Sequence, residues 1–484
     1  MTGFSIDKIN EVYNKVYSDD RGAMQELSEY FTFKVPGAEF MPSYRNRMWD
    51  GKIRLFNTNT GYLYAGLNKY IELFAKERGY NVTYEYDNSS VNFSLVEANE
   101  FLAKQKLSLE PYDYQVKAFV DAIRDSRSLF LSPTASGKSF IIYMILRWHL
   151  KPTIVIVPTT SLVHQMYSDF ESYGFNSEKY CHKIMSGKSK ETDKPVVITT
   201  WQSVYKLPKQ WFDRYSVVIG DEAHLFKAKS LTTLLTKLET TEYRYGFTGT
   251  LDGSQTHKLV LEGLFGPVNK VVTTKELMDA GRVADLSIKI ITLKYDDIYR
   301  KAVAKMDYQA EMDFLVSHGP RNNFITNLTL SLDGNTLLLF QYVEKHGKIL
   351  HDLIKAKSGD RKVYLVYADV KGEERDNIRA IVEKENDAIV IASYGTFSTG
   401  INIRNLHNVI FASPSKSKIR TLQSIGRGLR LGDNKKEAIL YDISDDMTHK
   451  SRKNFTLEHF IERMKIYNDE KFEYKIYTLN LKEE

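Results

Sequence analysis

Leu129-Phe130-Leu131-Ser132-Pro133-Thr134-Ala135-Ser136-Gly137-Lys138-Ser139-Phe140-Ile141-Ile142-Tyr143-Met144-Ile145-Leu146 is the stretch whose reading decides the fold. An apolar strand gives way to a loop of small residues, and the loop opens into an apolar helix. Such a turn wraps polyphosphate in backbone N–H groups, and the helix N-terminus adds the positive end of its dipole. In that geometry Thr134, Ala135, Ser136 and Gly137 line the phosphates. Lys138 reaches the β- and γ-phosphates, and the Ser139 hydroxyl ligates Mg²⁺. Two positions depart from the usual G-x-x-x-x-G-K-[ST] pattern: Ser132 replaces the first glycine, and Ala135 stands where glycine is common. Both side chains are small and keep the loop compact. The plainer reading of the segment alone is a polar strand-to-helix turn.

A second feature weighs against that plainer reading. Ser216-Val217-Val218-Ile219-Gly220 has the composition of a buried strand and ends in Asp221-Glu222-Ala223-His224. Adjacent carboxylates at a strand end repel one another and are costly there unless a cation lies between them and a substrate. In triphosphate hydrolysis the first acid holds Mg²⁺ and the second orients and activates the attacking water. Those roles fall to Asp221 and Glu222.

At 484 residues the chain is too long for one core, and two or three domains are expected. No apolar stretch approaches the length of a membrane span, so none is expected. The N-terminal Met-Thr-Gly-Phe-Ser-Ile-Asp lacks the basic and apolar segments of a signal peptide. The single cysteine, Cys181, excludes an intrachain disulfide and a cysteine-based metal cluster, and it fits a reducing cytoplasm. A net charge of +6 is mild for this length and by itself names no nucleic-acid partner. Local distribution says more. Lys416, Lys418, Arg420, Arg427 and Arg430 come with no acid among them, and Arg45, Arg47, Lys52 and Arg54 surround only Asp50. Either cluster alone reads equally well as a solvated face.

From about 110 to 285, apolar strands alternate with helical stretches: Leu129–Leu131, Thr153–Val157, Val196–Thr199, Val217–Ile219 and Tyr245–Thr248. This rhythm predicts βαβ units and a parallel sheet. It returns from about 335 to 445 with Thr336–Gln341, Val363–Tyr367, Ile389–Ser393, Val409–Ala412 and Ile439–Asp442. A polar helical connector is expected over 293–330. Residues 1–105 mix short helices with strands such as Lys52–Phe56 and Val82–Tyr86 and predict a small α+β domain. The expected division is 1–105, a first α/β domain over 106–290, a second over 291–455, and a tail over 456–484. In that tail Leu457, Phe460, Ile461, Met464 and Tyr467 recur at helical spacing, so a helix packed on the second domain is expected.

Further segments fall where a two-domain nucleic-acid motor needs them. Tyr114-Gln115 precedes the phosphate loop, and a glutamine there can read an adenine edge. Thr159 and Thr200-Trp201-Gln202 each follow a strand and suit contacts to a DNA or RNA backbone. Thr248-Gly249-Thr250 ends another strand and is placed to couple the nucleotide site to the track. The second domain offers Ala392-Ser393-Tyr394-Gly395-Thr396-Phe397-Ser398-Thr399-Gly400-Ile401-Asn402, with Gly400 a nucleotide contact, and then Gln423-Ser424-Ile425-Gly426-Arg427-Gly428-Leu429-Arg430. Arg427 and Arg430, three apart on a helix, share a face. Held by a separate domain, they would meet the γ-phosphate on closure as arginine fingers.

With these motifs in order, the chain resembles the superfamily 2 helicases over residues 110–445, and within them the phage UvsW-type. The XPB-like helicases and restriction-enzyme motor subunits stand further off. Trp201-Gln202-Ser203, Ser415-Lys416-Ser417-Lys418-Ile419 and, outside the motor, Tyr44-Arg45-Asn46-Arg47-Met48-Trp49-Asp50-Gly51-Lys52-Ile53-Arg54-Leu55 carry the finer likeness. Asn402 departs from the acid found near that position in many relatives. The resemblance implies an α/β fold of two tandem RecA-like domains with parallel sheets, preceded by the α+β domain. It implies ATP and Mg²⁺ as cofactors, and DNA, branched at forks, displacement loops and four-way junctions, as partner. In that family the N-terminal domain is thought to bind DNA, which implicates Arg45, Arg47, Trp49, Lys52 and Arg54; Trp49 reads equally as a stacking residue or as a core anchor. The expected activity is an ATP-dependent DNA helicase or translocase of recombination, repair and replication restart, acting in the cytoplasm (the host's, if the chain is phage-encoded) without a membrane partner. The alternatives are an RNA helicase or double-strand DNA translocase of the same fold, or a non-motor DNA-annealing protein.

Overall fold

The computed structural model describes residues 3–35, 37–185, 187–227, 229–251, 255–400, 403, 405–414, 417, 425–426 and 437–481. The chain divides into two compact units, residues 1–132 with 137–271 and residues 133–136 with 272–484.

The first unit is built on a seven-stranded, wholly parallel sheet. Its strands lie in the order Val268–Lys270, Arg127–Leu131, Tyr243–Thr248, Val217–Asp221, Thr153–Val157, Val196–Thr200, Cys181–Ile184. The central strands are apolar on both faces, as a sheet covered on both sides requires. Alternate side chains then serve different cores. Val155, Val157, Ile198, Val217 and Ile219 pack with Phe119, Ile141 and Phe170. Ile154, Ile156, Val197 and Val218 pack with Leu234, Leu261 and Phe265 on the other face. The strand order has a consequence for chemistry. Asp221 pairs in register with Phe247, and Thr248 pairs with Leu131. The phosphate loop, the Asp-Glu pair and Thr248 therefore leave the sheet at one edge, where ligands of open parallel sheets bind.

The N-terminal part of this unit is a four-stranded sheet in the order Tyr62–Tyr64, Tyr13–Tyr17, Gly3–Lys8, Asn81–Tyr84. Leu27 and Phe74, from helices Arg21–Tyr30 and Asn68–Arg78, fill its core with Phe4, Ile6 and Leu63. Leu259, from helix Gln255–Phe265, enters the same cluster. Gly66 lies so close to the Glu262 carbonyl that a Cβ would stand 2.0 Å from its oxygen. Tyr70 donates a hydrogen bond to Glu262 at 2.6 Å, and Arg127 Nη2 donates to the Glu11 carbonyl at 3.1 Å. The small α+β domain is thus packed onto the first parallel sheet domain through both apolar and polar contacts.

The second unit holds another seven-stranded parallel sheet, in the order Val363–Val366, Ile389–Ser393, Thr336–Phe340, Asn408–Phe411, Glu437–Asp446, Asp285–Lys294, Tyr474–Asn480. Two of these strands were not expected. Asp285–Lys294 runs across the boundary placed at residue 290 and pairs along its whole length with Glu437–Asp446. Its lysines interrupt the apolar run that marked the other strands. Tyr474–Asn480 follows the helix Phe455–Asp469 and adds an edge strand to a tail read as helical only. Its side chains are mostly exposed, so it carries no burial pattern. The expected connector is helical, as Asp297–Val303, Tyr308–Ser317 and Gly319–Ser331, but Leu315 and Ile325 belong to the core of this unit. Fully buried ion pairs join Arg321 to Asp445 and Arg463 to Asp442, both at 2.8 Å. Among the described residues no helix is long and apolar enough to cross a membrane.

His149 is enclosed in the first unit, its ring 4.0 Å from that of Tyr243 and its Nε2 3.0 Å from the Tyr245 hydroxyl. Burial, with Lys151 adding to it, lowers its pKa to about 4. Between pH 6.5 and 4 the unfolded chain holds a proton that the folded one excludes, so stability falls as pH falls through that window. The cost approaches about 1.4 kcal/mol per pH unit, or about 2 kcal/mol from pH 6.5 to 5. His149→Phe keeps the stacking, and Tyr245 still donates to the Ala122 carbonyl at 3.0 Å. Denaturant unfolding of the first unit at pH 7 and pH 5 is expected to show the variant losing about 2 kcal/mol less than the parent on acidification.

Candidate active site

Strand Arg127–Leu131 and helix Lys138–His149 bracket the phosphate loop, and the backbone of the turn is left-handed at two points. Ala135 has φ +67° and Gly137, the helix N-cap, has φ +76°. Glycine is at ease there, whereas alanine in this region costs about 1–2 kcal/mol. Ala135 therefore carries strain that the expected glycine would not. Ser132, the other departure, is fully buried, and its N–H donates to the Thr248 carbonyl at 2.8 Å. Ser136 Oγ donates to the Pro133 carbonyl at 2.7 Å and closes the turn.

Lys138, Asp221 and Glu222 meet at the sheet edge. Lys138 Nζ lies 3.4 Å from Glu222 Oε1. Glu222 sits at φ +51°, and such strain, about 1–3 kcal/mol, concentrates at functional sites. Asp221 is buried at the strand end, and its Oδ1 has no hydrogen-bond partner among the described residues. Burial raises the Asp221 pKa, Lys138 pulls it down, and the charge of Glu222 raises it again. A buried carboxylate oxygen with no donor, at the same end of the sheet as a loop that carries a serine hydroxyl next to its lysine, is the oxygen chemistry that a hard divalent cation takes. Ser139 and Asp221 fit Mg²⁺ on those grounds.

Two residues that the sequence reading quoted without a role, or passed over, complete the array. His224 Nδ1 stands 3.4 Å from Glu222 Oε2 and 3.0 Å from Thr248 Oγ1. Thr248 Oγ1 in turn donates to the Thr250 carbonyl at 2.8 Å. The Asp-Glu-Ala-His segment is thereby tied to Thr248-Gly249-Thr250. Tyr173 is the second: its hydroxyl lies 2.8 Å from Ser139 Oγ. No local pattern marked it, because the contact joins positions 34 residues apart.

Gln115 is buried, and its Oε1 accepts the Tyr112 N–H at 2.9 Å. Its Nε2 stands 2.3 Å from where a Cβ on Gly137 would lie. The glutamine thus buttresses the phosphate loop, and its carbonyl is held by the cap of its own helix. Thr159 caps helix Thr160–Ser172 by accepting from Leu162 N at 3.3 Å, and Thr200 shares a 2.9 Å hydrogen bond with Ser203. Gln202 is exposed.

Arg45, Arg47, Trp49, Lys52 and Arg54 come together on a separate feature, the antiparallel pair Thr32–Lys34 and Lys52–Arg54 with the segment that joins its strands. Arg45, Arg47 and Lys52 are exposed. Arg54 pairs with Asp50. Tyr44, Arg45, Arg47, Met48 and Trp49 line a surface groove of about 660 Å³. Trp49 is half-buried, and its indole N–H donates to the Lys52 carbonyl at 2.8 Å, so it braces the hairpin. Gly400 closes helix Tyr394–Gly400. Arg427, Arg430, Asn402, Lys416, Lys418 and Arg420 lie outside the described residues.

Comparison with known proteins follows the same order along the chain. Family models match for the N-terminal domain of the DNA helicase UvsW over residues 9–85, the type III restriction enzyme res subunit over 108–253, and the helicase conserved C-terminal domain over 321–432. The chain is similar to the ATP-dependent DNA helicase uvsW of Enterobacteria phage T4, at 35% identity over 96% of this chain and 97% of that protein. It is similar to the DNA 3′-5′ translocase XPB2 of Sulfurisphaera tokodaii at 23% identity, over 71% of this chain and 82% of the relative. The crystal structure of T4 UvsW matches with a TM-score of 0.53 and 33% identity, covering 99% of this chain and all of the other. A fragment of an HsdR subunit of a type I restriction enzyme from Vibrio vulnificus shares the fold at 18% identity, with a TM-score of 0.58 over 76% of this chain and 69% of that one.

Gly137→Ala combines a left-handed alanine with a clash on a braced glutamine. A fluorescent ATP analogue is expected to bind at least about tenfold more weakly, the equivalent of about 1.4 kcal/mol, and the melting temperature to fall by a few degrees, as about 1–2 kcal/mol of backbone strain requires. Thr248→Val removes the hydroxyl beside His224. Steady-state ATPase assays are expected to show kcat lower by about tenfold or more, with KM for ATP little changed, as for a group that acts in the transition state.

Proposed function

The chain belongs to the UvsW family of superfamily 2 helicases, and on that premise we propose that it is an ATP-dependent DNA helicase that remodels branched DNA: forks, displacement loops and four-way junctions. The observation that carries the enzymatic part is the single edge of the first sheet, where Lys138, Asp221, Glu222 and His224 converge.

The residues act as follows. Amides of the 134–139 turn and Lys138 hold the phosphates of ATP. Lys138 and Glu222 share a weak ion pair at 3.4 Å. When Lys138 turns to the β- and γ-phosphates, Glu222 is left to accept a proton from the attacking water. His224 Nδ1 stands 3.4 Å from its other oxygen. Ser139 and Asp221 would hold Mg²⁺, which would supply positive charge at the phosphate oxygens. Arg427 and Arg430 are assigned the developing charge on the γ-phosphate, as in other arginine-finger enzymes. His224, through Thr248 and Thr250, offers a path from the hydrolytic centre to the segment expected to sense the track.

Thr159, Thr200 and Gln202 are assigned to the DNA backbone, and the Arg45–Arg54 cluster to the DNA branch. Branch migration suits a motor of this size. Separating base pairs costs a mean of about 1.4 kcal/mol per step in stacking. A moving junction re-forms as many pairs as it breaks, so the motor need only bias direction. The setting is the host cytoplasm during recombination, repair and replication restart.

Lys138→Ala is expected to bind a four-way junction with near-parental affinity yet migrate it at least about a hundredfold more slowly, since one preorganised charge at the reacting phosphate is worth that much. Gel-shift and junction-resolution assays with ATP measure the two quantities. Migration at the parental rate would end the assignment. Greater ATPase stimulation by RNA duplexes or linear DNA than by forks and junctions would move the substrate away from branched DNA.

A further inference from the structure

Ser139 is the second residue of helix Lys138–His149, and a serine hydroxyl at that position rotates unless something holds it. Here something does. Tyr173, which follows helix Thr160–Ser172, places its hydroxyl 2.8 Å from Ser139 Oγ. The phenol is itself fixed. Its ring lies 4.8 Å from that of Phe140 and 5.5 Å from that of Tyr143, and its backbone N–H is anchored on the Asp169 carbonyl at 3.0 Å. Phe140 and Tyr143 belong to the same helix as Ser139, so the two hydroxyls are held in register by one apolar contact surface.

A hydroxyl that gives a lone pair to a cation must direct its proton elsewhere. We propose that Tyr173 is a positioning residue for the divalent cation: its oxygen accepts the Ser139 proton and turns the Ser139 lone pairs toward the metal beside Asp221. No covalent bond changes in this arrangement, and the phenol proton points away from Ser139. The proposal rests on the assignment of Ser139 as a cation ligand. It goes beyond that assignment by naming what orients the ligand and by predicting that the site weakens when the orienting oxygen is removed.

Tyr173→Phe deletes the oxygen and keeps the ring against Phe140. The test titrates Mg²⁺ into the protein with mant-ADP and reads the half-saturating Mg²⁺ concentration, alongside mant-ADP binding in EDTA and the melting temperature. Ser139→Ala serves as the reference. The expected result is a half-saturating Mg²⁺ concentration about three- to tenfold higher for Tyr173→Phe, the value of one neutral hydrogen bond, with the EDTA affinity and melting temperature unchanged. If Ser139→Ala shifts the Mg²⁺ titration and Tyr173→Phe does not, the positioning role is wrong and the ligand assignment survives. If Ser139→Ala leaves the titration unmoved, the ligand assignment itself fails and takes the proposal with it. If Tyr173→Phe lowers the EDTA affinity or the melting temperature as much as it shifts the Mg²⁺ titration, the hydroxyl serves the fold and the proposal is overturned.

Discussion

A carboxylate buried at the end of a sheet strand with an unanswered oxygen is expensive, and Asp221 is that carboxylate. Its neighbours act on that cost in opposite directions. Lys138 lies close enough to favour its charge, and Ser139 follows Lys138 on the same helix. Glu222 adopts a left-handed backbone that only a well-supported turn sustains, and it raises rather than relieves the electrostatic cost. A fold built for stability alone has no use for this arrangement. The proposed role, a cation held against a triphosphate, gives it one.

The second unit shows the contrasting solution. Asp442 and Asp445 are also fully buried on a strand of a parallel sheet. Each is answered by an arginine: Asp442 by Arg463 and the Tyr467 hydroxyl, Asp445 by Arg321 and the Tyr295 hydroxyl. Removing one partner of such a pair costs about 3–5 kcal/mol, so these acids pin helices to the sheet. The same residue type, on the same kind of strand, is structural where an arginine meets it and available for chemistry where none does.

Packing also decides what the N-terminal domain is attached to. Glu262, 3% exposed, accepts from Tyr70 of the small domain and from Val268 N of the parallel sheet domain. Arg127, at the start of the strand that leads to the phosphate loop, donates to Glu11. The basic hairpin that carries Arg45 and Arg47 therefore belongs to a body continuous with the strand of the phosphate loop. Trp49, which composition left open between stacking and anchoring, is spent at least on its N–H side in bracing that hairpin.

Local pattern sufficed for the strand-turn-helix at 127–149, the strand that ends at Asp221 and the central strands, because each is a short continuous segment whose signal lies in adjacent residues. Continuous apolar runs of five residues marked strands buried on both faces, and Ile389–Ser393 was read to the residue. Asp285–Lys294 and Tyr474–Asn480 escaped because sheet edges and lysine-bearing strands lack that signature. The sequence by itself determined two parallel sheet domains, and its local motifs are the ground on which a P-loop triphosphate site is proposed. Only the tertiary structure decided that Tyr173 stands on Ser139, that His224 bridges Glu222 to Thr248, and that Gln115 braces Gly137. Those contacts join residues far apart in the chain, and side-chain reach across a folded sheet edge is not written in any local spacing.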